Sequence, residues 1–97
     1  MINNILEYLN FVIQNPNEIF LDAGAFVGDT IEKFIYNTCA TFKKIYGFEP
    51  GEKQFKAMKL RMNRLIEEWS INNENIILEK LDFQIILVIH TLKHLVL

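Results

Sequence analysis

The chain has 97 residues, 51% hydrophobic and 23% charged, with a net charge of −2. That size allows one domain or a piece of one, and the composition is that of a folding chain, not a disordered one. The slight acidity leaves no basic stripe for nucleic acid, and the single cysteine, Cys39, excludes an internal disulfide and fits a reducing, cytoplasmic setting.

The opening MINNILEYLNFVIQ has no basic leader and no small-residue cleavage site, so it does not read as a signal peptide. Ile5, Leu6, Leu9, Val12 and Ile13 fall at helical spacing and predict an amphipathic helix over residues 3–14, stopped by Asn15-Pro16-Asn17. Glu18-Ile19-Phe20-Leu21-Asp22 is short and apolar and runs into a glycine-bearing turn, the pattern of a buried parallel strand. A helix is expected from Asp29 to about Asn37, with Asp29 or Thr30 as its cap and Glu32 completing a capping box. Lys44–Glu49 reads as a second strand closed by Pro50-Gly51.

The clearest helix is Glu52–Ser70. Phe55, Met58, Met62, Leu65, Ile66 and Trp69 form one stripe there, with Lys56, Lys59, Arg61, Glu67 and Glu68 mostly facing elsewhere, the lysines and Arg61 on a solvated face. Asn72–Asn75 reads as a turn and Ile76-Ile77-Leu78 as a third strand. The α-β-α-β-α-β order implies a parallel, doubly wound sheet with right-handed crossovers.

The tail leaves two readings open. Phe83–Ile89 is β-prone, but so close behind the third strand it can pair only as an antiparallel hairpin. Alternatively the whole tail is a helix. No membrane span fits here, since Asp82, Gln84, His90, Lys93 and His94 interrupt a run that would need about 18 apolar residues. Gln84–Ile89 also has the profile of a segment that needs covering.

In an open α/β sheet, ligands bind beyond the carboxyl ends of the strands, at the first strand–helix turn. That turn is Asp22-Ala23-Gly24-Ala25-Phe26-Val27-Gly28-Asp29-Thr30. Gly24 frees the backbone for a sharp bend, and Gly28 lets the helix start close to the strand. Glu49, ending the second strand, is placed to accept both hydroxyls of a ribose, with Pro50 stiffening the chain behind it. Two cofactor classes compete for this pair. A dinucleotide fold expects G-x-G-x-x-G, whereas the D-x-G-x-x-x-G found here suits S-adenosylmethionine, whose sulfonium and amino group favour carboxylates such as Asp22 and Asp29. Phe26 is a candidate to cover the cofactor or to pack in the core.

FLDAGAFVGDTIEKF followed by KKIYGFEPGEKQF resembles the FkbM-type methyltransferase family, which pairs a D-x-G-A-x-x-G turn with a strand ending in F-E-P and a later phenylalanine, here Phe48-Glu49-Pro50 and Phe55. Asn75-Ile76-Ile77-Leu78 is similar to the strand that follows. The resemblance, over about residues 18–80, implies an α/β Rossmann-like class I methyltransferase fold with a partial parallel sheet. It implies S-adenosylmethionine held by Asp22, Gly24, Gly28 and Glu49, and O-methyl transfer to a small-molecule acceptor, a sugar or natural-product hydroxyl; Ala25, Phe26, Asp29, Thr30 and Pro50, beside them in the two turns, complete the candidate cofactor site. The family continues into a fourth strand with an acidic signature, and Val88, Ile89 and His90 stand where it would fall. Residues 1–80 are therefore expected to be the front half of such a domain and 81–97 a divergent tail, for which a truncation, a frameshifted end or a degenerate gene would each account. No catalytic base is assigned. The alternatives are a non-catalytic nucleotide-binding module and a non-functional remnant. His90 and His94 lack a third metal ligand nearby, and Cys39 lacks a histidine partner, so neither is expected to carry chemistry.

Overall fold

A computed structural model describes residues 19–96 of the chain. The helix expected over residues 3–14 and its proline stop lie outside the described residues. In chain order the elements are β1 (Ile19–Ala23), α1 (Asp29–Asn37), β2 (Lys44–Glu49), α2 (Glu52–Trp69), a 3-10 turn (Asn73–Asn75), β3 (Ile76–Lys80) and α3 (Phe83–Val96). The strands form one sheet in the order β1-β2-β3, and both pairings are parallel. The chain is thus a small α/β domain, and the strand–helix rhythm expected from the sequence holds. β1 begins and ends one residue later than expected, and β3 runs on to Lys80.

Strand alternation sends side chains to two faces, and each face has its own core. On one side Ile31 and Ile35 of α1 and Met58, Met62 and Leu65 of α2 pack with Ile45 and Ile76. The expected stripe of α2 is therefore the buried one, with Phe55, Ile66 and Trp69 at its margins. Gly47 makes this packing possible, since a Cβ there would meet Ile31 Cδ1 at 2.9 Å and Leu78 Cδ2 at 3.0 Å.

The opposite face is covered by the tail, which is a helix and not a hairpin strand. Ile86 and Ile89 are buried against Ile19, Leu21, Tyr46 and Phe48, with Ile85 and Leu92 beside them. Only Leu81 and Asp82 separate β3 from α3, and Asp82 Oδ1 accepts the Gln84 amide at 2.9 Å to start the helix. The gain from covering a bare apolar sheet face outweighs the β preference of Ile and Val. The segment expected to need a cover is itself a cover, while Phe83, Leu87, Val88 and Leu95 stay exposed on its outer side.

The capping box does not form. Gly28, at φ +85°, is the N-cap of α1; no side chain caps the helix, and Asp29 and Thr30 are exposed in its first turn. The left-handed bend into the helix is one glycine adopts without strain, and a Cβ at Gly28 would also meet Met62 Cε at 3.0 Å. Glu32 is drawn away from the cap by Arg61 at 3.1 Å and Arg64 at 3.0 Å. Arg61, expected to be merely solvated, and Arg64 together tie α1 to α2 through one carboxylate. Among the described residues no helix is long and apolar enough to cross a membrane.

Candidate functional site

The carboxyl ends of β1 and β2 lie side by side, with Asp22 paired to Gly47 and Ala23 to Phe48. The β1–α1 turn folds back over them. Gly24 and Ala25 both donate their amides to Phe48 O, at 2.7 and 2.8 Å, and the Gly28 amide closes the turn on Ala25 O at 2.9 Å. Gly24, Phe26 and Gly28 all have positive φ, at +82°, +57° and +85°. For a bulky residue such as Phe26 this conformation is uncommon and holds only where the surroundings impose it. Here the constraint is Glu49, whose Oε1 accepts the Phe26 amide at 2.7 Å.

Glu49 is the buried charged side chain of the described core, at 6% exposure, and its second oxygen accepts the Gly51 amide at 3.0 Å. One carboxylate therefore clasps the turn after β1 to the turn after β2. The two motifs singled out in the sequence, the glycine turn and the acidic strand end, are in direct contact. Sequence reasoning did not anticipate that both Glu49 oxygens would be engaged by backbone amides; each keeps a lone-pair direction for a further donor.

Asp22 is different. Among the described residues its Oδ2 is buried and has no hydrogen-bond partner. Burial pushes its carboxyl above the ordinary aspartate range; Asp29 and Glu49 add to the rise, and the Lys93 ammonium opposes it. An orphaned buried carboxylate oxygen is costly and is rare in folded proteins. Its surroundings suit a cationic or hydrogen-bond-donating group far better than an anion.

At the ends of β2 and β3 lies a cavity of about 300 Å³ lined by Pro50, Lys80, Leu81 and Asp82. Lys80, Leu81 and Asp82 were missed in the sequence because β3 was ended at Leu78. Extending that strand by two residues brings them to the sheet's ligand-binding end. Of the expected site residues, the structure brings Asp22, Gly24, Ala25, Phe26, Gly28 and Glu49 together around the turn. Asp29 and Thr30 lie at its outer rim on α1, and Pro50 belongs to the cavity. Phe26 is 57% exposed, so it lies over the turn and not in the core. Among the described residues no group of three or more His, Cys, Asp and Glu side chains is arranged to hold a metal ion.

Comparison with known proteins gave no matching family model, no matching curated protein and no matching solved structure.

Proposed function

We propose that the carboxyl end of this sheet binds S-adenosylmethionine and that the chain is a donor-binding Rossmann-like unit of methyl transfer, of the FkbM type its motifs resemble. The observation that carries the reading is the partnerless Asp22 Oδ2 at the end of β1. A ligand that relieves it must bring a donor, and the neighbouring Asp29 and Glu49 favour a positively charged one. The amino group and sulfonium of S-adenosylmethionine meet that requirement.

A dinucleotide meets it poorly. Its pyrophosphate would face Asp22 and Asp29, and Phe26 stands where a second glycine would let the backbone approach a phosphate. Glu49, fixed by two amides, keeps acceptor capacity for ribose hydroxyls, and Pro50 and Leu81 offer apolar walls for a base. When bound, the cofactor supplies an electrophilic methyl group. The chain's residues contribute binding and alignment: Asp22 fixes the cationic end, Glu49 the sugar, and the rigid turn their separation. The acceptor, by resemblance, is a hydroxyl of a sugar or natural product.

Titration calorimetry of the chain with S-adenosylhomocysteine, and with NAD in parallel, tests the reading. Binding of the first and not the second is expected, weakened by about 1–3 kcal/mol in Asp22→Ala or Glu49→Ala from the lost charged hydrogen bond. Preference for NAD, or identical affinity in both variants, would rule it out.

A further inference from the structure

Lys93 is the only side chain of α3 drawn from Asp, Glu, Lys and Arg, and it is half-buried. Its ammonium donates to Leu21 O at 2.6 Å, on the edge strand β1, and lies 5.8 Å from the centre of the Phe20 ring. Phe20 and Asp22 share one face of β1 by alternation, whereas α3 packs on the face of Ile19 and Leu21. Lys93 therefore crosses the strand edge from one face toward the other. Its anchor is the carbonyl bonded to the Asp22 amide nitrogen.

We propose that Lys93 is a positioning residue for this site: anchored on Leu21 O, its ammonium is the built-in counter-charge of Asp22 and readies that carboxylate for a cationic ligand group. The inference rests on the cation-binding reading of Asp22. Among the described residues the charged groups facing Asp22 are Asp29 from α1, Glu49 from β2 and Lys93 from α3, and of these only Lys93 favours the carboxylate form. Burial and two acidic neighbours push Asp22 toward its neutral form, which pairs poorly with a cation, and Lys93 works against that push. An alternative role for the lysine, blocking the open edge of β1 against other strands, makes no demand on Asp22.

Carboxyl carbon NMR of the ligand-free chain separates the two. In Lys93→Met the Asp22 titration midpoint should rise by about one pH unit or more, as for loss of an opposite charge nearby. Lys93→Arg should retain the wild-type midpoint. If Lys93→Met fails to fold, Lys93→Gln serves, since it keeps a donor for Leu21 O without the charge: the Asp22 midpoint should rise there as well. An unmoved Asp22 in folded Lys93→Met or Lys93→Gln overturns the proposal whether or not S-adenosylhomocysteine binds. A coupled pair in a chain that binds no S-adenosylhomocysteine would sink the cofactor reading and leave the counter-charge standing.

Discussion

Asp22 sets ligand binding against stability. Its carboxyl titrates above the ordinary aspartate range because burial disfavours the charge. A folded-state value above the unfolded one means that its stabilising contribution is complete below the unfolded value. That contribution is lost as pH rises through the folded value. At neutral pH the charged side chain therefore weakens the fold, and Asp22→Asn should raise the melting temperature there. The gain should vanish in acid below the ordinary aspartate range, where both side chains are neutral; paired thermal melts at the two pH values check this. A loss of stability in Asp22→Asn at neutral pH would mean that Oδ2 already has a partner. Glu49 makes the opposite case. Its two amide bonds are charge-assisted and buried. Glu49→Ala should lower stability by about 1–3 kcal/mol in urea denaturation, besides any effect on ligand binding. A side chain that served only a ligand would leave the unliganded chain unchanged.

Among the elements, α3 shows where local sequence signals ran out. Ile85, Ile86, Val88 and Ile89 carry a strand's preferences, and only the bare face of the sheet above Tyr46 and Phe48 makes them helical. That face is a tertiary fact and has no local signature. If α3 is part of the core, Ile89→Ala, at a site 1% exposed, should cost about 2–5 kcal/mol in the same denaturation experiment. A change below about 1 kcal/mol would show the helix to be loosely attached. The other elements were legible because their signals agree. The stripe of α2 has one period throughout, and the glycines at 24 and 28 leave the chain few other paths. Of the site, Asp22, the glycines and Glu49 were legible from residue type and spacing. The Glu49 clasp and the Lys93 approach were not, since each joins residues far apart in the chain, 23 positions for Phe26 and Glu49 and 72 for Leu21 and Lys93. The capping box misled because its glutamate had a stronger partner in two arginines of another helix.

At the scale of the molecule, a three-stranded parallel sheet with α1 and α2 on one face and α3 on the other directs the turn after β1, the end of β2 and the end of β3 to a single edge. Three carboxylates, Asp22, Asp29 and Glu49, gather there, with the Pro50–Asp82 cavity beside them. The central claim is that one S-adenosyl amino acid, with its ammonium toward Asp22, spans this edge. Backbone amide NMR of the chain during addition of S-adenosylhomocysteine tests it most directly. The amides of residues 22–29, 49–51 and 80–82 should shift together along one saturable curve, because a single ligand touches all three segments. No saturable shifts at all, or shifts confined to the separate groove lined by Phe55, Lys59 and Asn63 between α2 and β3, would contradict it.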